Sequence, residues 1–441
     1  MLLLTDLPPE IIHHILGYVD PQDLARVPRA CKRLYHAVSA NTTLFKHLYL
    51  NHLDAPSDDA FNWEQALKDF VRLRALCSRD HVDDKVRAEA AGADTDASTN
   101  IGTDADPRRQ KDELDFVYRA VTELLKSAAT DGERPGLAAK LPQSRNADIL
   151  SEIFSTESNR SAFLCRSFIY ERARAGFHSK EIGYWHGPPG SEHQKGAHLH
   201  CLYGVPRLFA YPSMRPPTRK HSMRPYASSK VYDLRQYTQE NKWGPFLDDG
   251  TMNVDWEKVE AIMIVLGANI DDLGLSRKKL CEAFCSVPFA GTWPNSWKSP
   301  PIPSTPRELD PVEHLDPYGI TGVWLRVVCF LDYSDFFAFN FGNVELPRYI
   351  SRPSISARQA TRIIRMHIIV TDIEDPGPED GQDLPVVNFK GISTAIDQSV
   401  DENANSDLRG TVLVRGAEGT LPTPILLLSR ERAIDLSRTG C

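Results

Sequence analysis

The sequence has no apolar run near the length of about 20 residues that a helix needs to cross a bilayer. Its eight cysteines in 441 residues include no C-x-x-C pair, which excludes a disulfide framework. The net charge of -8 argues against a general nucleic-acid binder. The first residues, MLLL, are followed at once by Asp6 and two prolines, unlike a signal peptide. We therefore expect a protein of the cytosol or nucleus that binds neither nucleic acid nor membrane.

Short catalytic and nucleotide-binding motifs are also missing. None of G-x-x-x-x-G-K-[ST], G-x-G-x-x-G, G-x-S-x-G or H-E-x-x-H occurs. Trp185-His186-Gly187 and the acidic pairs Asp248-Asp249 and Asp271-Asp272 are more simply explained as turns or solvated loops. We predict no catalytic residue and no cofactor.

Metal-capable side chains are concentrated at His193, His198, His200 and Cys201. We interpret this segment as a strand, on which His198 and His200 point to the same face and could ligate a metal as a pair. A third and a fourth ligand are not evident nearby. Half-buried strand histidines are therefore the favoured interpretation, and we predict no metal site.

An apolar N-terminal stretch is what the sequence does have. Leu4 to Leu53 has the spacing of short helices, with more apolar surface than so small a unit can bury by itself. Asp20-Pro21-Gln22-Asp23 predicts the start of a second helix, and Val27-Pro28 should end it and open a third. Asn41 or Thr42 is expected to cap a fourth. Support must come from the rest of the chain or from another protein.

The two-proline entry, the D-P-x-D elbow and the C-K-x-L-Y third helix of this stretch together resemble the F-box. Members of that family dock on the adaptor Skp1 and so join a cullin in SCF-type ubiquitin ligases. The resemblance implies a non-catalytic subunit that recognises an unknown protein substrate. Carried over by position, it implies an adaptor face made of Leu7, Pro8, Ile11, Ile15, Leu24, Val27, Cys31, Leu34 and Leu44.

The sequence alone does not separate the adaptor face from the internal core of these helices. Amphipathic helices more often bury their apolar stripe within their own domain. Among the candidates we expect Leu7, Ile11 and Leu34 to be the energetic anchors.

Two basic clusters have open interpretations. Arg26, Arg29, Lys32 and Arg33 lie beside the apolar stripe, where they either steer an acidic adaptor or form an ordinary solvated face. The run from Arg215 to Arg224 could receive a phosphorylated degron, but a nuclear-import signal or an inert loop is the favoured interpretation.

The rest of the chain divides into two regions with different patterns of apolar residues. Residues 54–176 predict a helical support, with a disordered acidic loop at 92–107 that holds four Asp and no basic residue. From about Phe177, short aromatic and apolar runs broken by Gly and Pro predict a β-rich domain over 177–420. There, Thr321 to Phe341 predicts two strands. The fold class is therefore α+β and multidomain: a small all-α F-box at residues 1–53, a helical middle, and a C-terminal sandwich or partly open barrel.

The C-terminal half carries a second resemblance. The runs WLRVVCFLDYSDFFAFNF and WGPFLDDGTMNVDWEKVEAIMIVLG are similar to fungal F-box proteins with a β-rich half of unassigned ligand. Such chains continue with further Trp- and Gly-rich strands after the RGTV strand. Residues 421–441 lack that alternation, so we expect an altered tail that leaves a sheet edge unpaired.

Three functions follow, in decreasing order of support. The first is the substrate receptor of an SCF-type ubiquitin ligase. The second is a ligand-binding scaffold that uses the F-box as a tether outside ubiquitination. The third, an enzyme with a metal at His198 and His200, has the least support.

Overall fold

The computed structural model describes residues 7–56, 60–79, 107–128, 144–178, 191–204, 223–274, 288–289, 312, 315–342, 346–348, 350–357, 359–378, 384–395, 406–415 and 423–431. The predicted acidic loop lies outside this set except for Pro107, and so do Trp185-His186-Gly187 and the basic run before Arg224. None of the helices in the described part of the chain has the length and apolar content that a membrane span requires.

The helices are α1 (Pro9–Leu16), α2 (Pro21–Leu24), α3 (Lys32–Val38), α4 (Thr42–His52), α5 (Trp63–Cys77), α6 (Pro107–Lys126), α7 (Arg145–Ile153), α8 (Glu157–Asn159), α9 (Phe168–His178), α10 (Ser191–Tyr203), α11 (Arg224–Tyr232), α12 (Trp256–Gly274) and α13 (Tyr333–Phe341). The strands are β1 (Gly322–Leu331), β2 (Gln359–Glu374), β3 (Val386–Ala395), β4 (Ser406–Arg415) and β5 (Thr423–Glu431).

The predicted starts of α2 and α4 are confirmed by their caps, whereas the third helix, expected to open at Val27-Pro28, begins only at Lys32. The Asp20 carboxylate accepts a hydrogen bond from the Gln22 amide at 2.8 Å and opens α2. The Asn41 side chain accepts one from the Leu44 amide at 3.0 Å and opens α4. Between them, Pro28 lies in a short 3₁₀ turn that follows α2, as the restriction on residues before proline predicts.

The N-terminal helices share one apolar core with α5, α6 and α7. A buried polar cluster fixes their junction, because the Asp54 carboxylate accepts hydrogen bonds from the Ser144 hydroxyl and from the Arg145 amide at 3.1 Å. The Asn146 side chain accepts one from the Asp54 amide at 2.9 Å and donates another to the Leu124 carbonyl at 2.8 Å. With these buried groups paired, the N-terminal unit is held on the helical middle.

The expectation of β structure from about Phe177 onward is wrong for the described residues 191–204 and 223–274, whose main elements are α10, α11 and α12. The buried face of α10 includes Gly196, Ala197 and His200. Small and polar residues on the inner face hide the helical period that larger apolar residues would show. The β-rich part begins only at β1, and the division of the chain into domains stays a prediction.

The described strands form one open antiparallel sheet in the order β1-β2-β3-β4-β5. The α+β fold class is confirmed. One face of this sheet carries a core of buried residues that includes Met366, Ile368, Val387, Phe389 and Leu408. The structure thus places a short meander, with a bulge between Val370 and Asp372, after the helical part.

Two expectations for this sheet are corrected. Thr321–Phe341 was expected to hold two strands, but its second half is α13, which Asp332 caps by accepting the Ser334 amide at 2.8 Å. The phenylalanine-rich segment looks like a buried strand, and the cap decides against it. In the tail, β5 pairs with β4 from Asp407↔Glu431 to Arg415↔Thr423, so β4 is not the unpaired edge that was expected.

Candidate functional site

Helix α1 has two apolar faces, and only one of them is buried. Ile12 and Leu16 are 2% and 3% exposed and belong to the core. Ile11, Ile15 and Tyr18 are 46%, 38% and 75% exposed. The spacing of four residues places Ile11 and Ile15 on one side of α1, and Tyr18 lies in the turn that directly follows the helix. We call them the α1 face, and they explain why the apolar stripe is too wide for a single core.

Other apolar side chains of the N-terminal helices are exposed as well. Tyr35 on α3 is exposed, while Leu34 and Val38 on the same helix are buried. Pro8 is exposed, and Leu7, which packs against the core, is only half-buried. The N-terminal helices therefore expose apolar groups beyond those of the α1 face.

Hydrogen bonds from outside α1 fix its position. The Arg33 guanidinium donates to the Leu7 carbonyl at 2.8 Å, which ties α3 to the entry of α1. At the other end, the Asn51 amide donates to the Gly17 carbonyl at 3.0 Å. A Cβ on Gly17 would lie 2.6 Å from Nδ1 of His47, so a larger residue there would have to displace the His47 ring. An exposed surface on a fixed frame loses little entropy when a partner binds.

Three of the predicted adaptor-face residues are internal. Leu24, Leu34 and Leu44 are 4%, 8% and 0% exposed and pack in the core. Because they have almost no accessible surface, we correct the sequence-based set and remove them from the adaptor face. This includes Leu34, which was expected to be an anchor.

The other six predicted residues retain accessible surface: Leu7, Pro8, Ile11, Ile15, Val27 and Cys31. Sequence reasoning left out two exposed aromatic residues, Tyr18 and Tyr35. Helical spacing could have identified Tyr18, because it lies seven residues, or about two turns, after Ile11. Tyr35 directly follows a buried leucine, and only the packing of α3 shows that it points outward.

The members of the N-terminal basic cluster make different contacts. Arg26 pairs with Asp23 at 3.2 Å, with side chains that are 81% and 62% exposed. Such a surface pair contributes little to stability. Arg33 is bound to the Leu7 carbonyl. Arg29 and Lys32 are exposed and add positive charge to the surface of the N-terminal helices.

The histidine group lies on α10, so its assignment to a strand is wrong. On a helix, residues two apart point to different sides, which separates His198 from His200. His200 contacts the Glu260 carboxylate through Nδ1 and the Tyr170 hydroxyl through Nε2 at 3.2 Å, and it is buried. In the described part of the chain no group of three His, Cys, Asp or Glu side chains could hold a metal ion.

His198 connects helix α6 to helix α12. Its ring stacks on Trp256 of α12 with centroids 3.6 Å apart, and its Nδ1 lies 3.0 Å from the Tyr118 hydroxyl of α6. Burial lowers the pKa of His198 to about 4, because desolvation disfavours the charged ring. This histidine is therefore neutral at physiological pH and acts as a packing residue.

The family described as F-box-like has a model that matches residues 4–51, a range that holds α1, α2, α3 and most of α4. Domains of this family bind Skp1-type adaptors and, in general, place the proteins that carry them in SCF-type complexes. No curated protein and no solved structure matches the chain.

Proposed function

We propose that this F-box protein is the substrate-recognition subunit of an SCF-type ubiquitin ligase. The observation that carries the proposal is the α1 face, which lies within the F-box-like match and stays uncovered while the other side of α1 is packed. An apolar helix face of this kind suits a hydrophobic groove on an adaptor. Through the adaptor the chain would reach a cullin. The fungal type of the chain remains a prediction.

The function we propose is one of positioning. The cluster around Asp54 holds the F-box on the helical middle, so a substrate bound further along the chain has a restricted position relative to the adaptor. Holding both partners replaces a rare bimolecular encounter with one inside a complex. Ubiquitin transfer is performed by partner subunits, so this chain needs no catalytic residue and no cofactor. Such a complex would work in the cytosol or the nucleus.

The binding energy should be concentrated at a few positions. Ile11 and Ile15 lie near the middle of the α1 face, with Leu7 and Pro8 at one margin and Tyr18 at the other. Apolar anchors of this kind typically cost about 2 kcal/mol or more each when truncated to alanine.

Copurification of the full chain with a Skp1-type adaptor and a cullin tests the proposal. The Ile11→Ala/Ile15→Ala variant is expected to lose both partners, whereas a Val323→Ala/Ile392→Ala variant should keep them, because it removes similarly exposed apolar groups from the sheet. If the wild type brings down neither partner, the proposal is wrong. If it brings down the adaptor without a cullin and leaves substrate turnover unchanged, the chain is instead a scaffold tethered by its F-box.

A further inference from the structure

Helix α13 exposes a row of aromatic rings that the F-box does not account for. Tyr333, Phe337 and Phe341 follow each other at intervals of four residues and are 75%, 50% and 61% exposed. Their ring centroids lie 6.1 Å and 5.0 Å apart, so the rings form a continuous strip, here called the α13 ridge. Contiguous exposed apolar surface of this kind is typical of an interaction site.

The other side of α13 is held from several directions. The Asn340 side chain accepts the Leu234 amide at 3.1 Å and donates to the Tyr232 carbonyl at 3.1 Å. Arg352, which is buried, donates to the carbonyls of Phe339 and Asn340 at 2.8 Å and 2.9 Å. These bonds satisfy carbonyls at the C-terminal end of the helix. The ridge is thus presented on a fixed frame, which favours binding.

A buried ion cluster supports Arg352 in turn. Its Nε lies 3.2 Å from Oδ1 of Asp233, and Arg235 pairs with the other oxygen of that carboxylate at 2.7 Å. Burial alone would raise the pKa of Asp233, but the hydrogen bonds and charge of Arg235, together with the charge of Arg352, hold it below its ordinary value. The carboxylate therefore stays charged and keeps both arginines in place.

The charges around the ridge indicate the chemistry of its partner. Asp332 and Asp335 are exposed in the first turn, and the sequence of α13 contains neither Lys nor Arg. Aromatic faces also attract cations. A second copy of α13 would bring only further carboxylates, whereas an apolar segment that carries Lys or Arg complements both the rings and the charges.

We propose that the α13 ridge binds a basic, apolar segment of the protein substrate. This inference rests on the function proposed above and adds to it the position of the substrate contact and the chemistry of the substrate. The ridge lies between β1 and β2 in sequence, outside the F-box-like match, so it shares no residue with the α1 face.

The test uses the full chain bound to a Skp1-type adaptor and a fluorescein-labelled amphipathic peptide of Leu and Lys. A twin peptide carries Glu in place of every Lys. By fluorescence anisotropy, the Lys peptide should bind at least about tenfold more tightly than the Glu peptide. Phe337→Ser/Phe341→Ser should weaken its binding by about tenfold or more. Val323→Ser/Ile392→Ser, which changes comparably exposed residues of β1 and β3, should leave it unchanged.

A charge variant sharpens the test. Asp332→Asn/Asp335→Asn keeps a capping side chain at position 332. It should lower the affinity for the Lys peptide and reduce the salt dependence of binding. Equal binding of both peptides, no binding of the Lys peptide to the wild type, or equal loss in the sheet control would overturn the inference. Light scattering that shows a dimer dissociated by Phe337→Ser/Phe341→Ser would assign the ridge to a second copy instead.

The two proposals fail separately. The ridge variant is expected to keep its adaptor and cullin, so loss of peptide binding alone concerns the substrate contact. The Ile11→Ala/Ile15→Ala chain, purified without adaptor, should bind the Lys peptide as the wild type does.

Discussion

The α1 face and the α13 ridge are built alike but lie in opposite charge surroundings. Each is a row of large apolar side chains at helical spacing on a helix whose other side is fixed by buried contacts. Arg29 and Lys32 are exposed in the F-box-like match that contains the α1 face, whereas Asp332 and Asp335 are exposed at the N-terminal end of α13. The apolar rows provide contact area for two partners, and the charges around them select which partner fits each surface.

The largest expected effect is on adaptor binding, and it should distinguish two neighbouring isoleucines of α1. Ile11 is 46% exposed and Ile12 is 2% exposed. Ile11→Ala/Ile15→Ala should cost about 4 kcal/mol of adaptor binding, close to a thousandfold in Kd, measured by titration calorimetry. The midpoint of urea unfolding should change less than in a core variant, because neither side chain belongs to the buried core.

Ile12→Ala is the matched change on the buried side of the same helix. It should lower the free energy of unfolding by about 2–4 kcal/mol through the cavity it leaves. Any loss of adaptor binding should be recovered at temperatures where the variant is folded. If Ile12→Ala abolishes adaptor binding in the folded state while Ile11→Ala does not, the assignment of the two faces is reversed.

The second effect tests the frame of the α13 ridge. Arg352→Met removes two hydrogen bonds to α13 carbonyls and one to Asp233. Removing one partner of a buried ion pair typically costs about 3–5 kcal/mol, so a loss of about 3 kcal/mol or more in the free energy of unfolding is expected. Urea unfolding measures it, and Arg326→Met, at an exposed position of β1, is the control.

Peptide binding should weaken in the Arg352→Met variant while adaptor binding persists. Loss of both activities together would indicate that the two surfaces depend on one frame, and the comparison between them would then fail.

The third effect concerns His198, which links α6 on the F-box side to α12 on the other side. Its pKa is about 4 in the folded chain and about 6.5 in an unfolded one. Between these values the unfolded state binds the extra proton, so acidification lowers stability. At pH 4 the loss should approach, but not exceed, about 3 kcal/mol.

Unfolding of the wild type and of His198→Phe across this pH range measures the effect. Phenylalanine preserves an aromatic ring against Trp256 and cannot titrate. The difference between the two stability curves should therefore be flat above pH 7 and slope below it. Parallel curves would show that His198 is not the group responsible.

How much of this could be predicted from the sequence depends on the signal each element carries. Asp20 and Asn41 announce helix starts through a local side-chain bond, and these predictions were confirmed. The separation of Ile11 from Ile12 could not be predicted, because two identical neighbours differ only in which one faces the distant core. The α13 ridge was missed because the three rings belong to a phenylalanine-rich run that favours a strand, and only the Asp332 cap indicates a helix.

The smallest expected effect tests whether the exposed charges near the N-terminal helices help to select the adaptor. Arg29→Ser/Lys32→Ser removes exposed positive charge from the F-box-like match that contains the α1 face. If these residues steer an acidic adaptor, the association rate should fall severalfold at low salt and converge with the wild-type rate at high salt, because screening removes long-range attraction. Stopped-flow mixing measures it, with dissociation rates expected to be nearly unchanged. An equal change at every salt concentration would mean that the two side chains make direct contacts with the adaptor, and only the α13 ridge would then owe its selectivity to the charges around it.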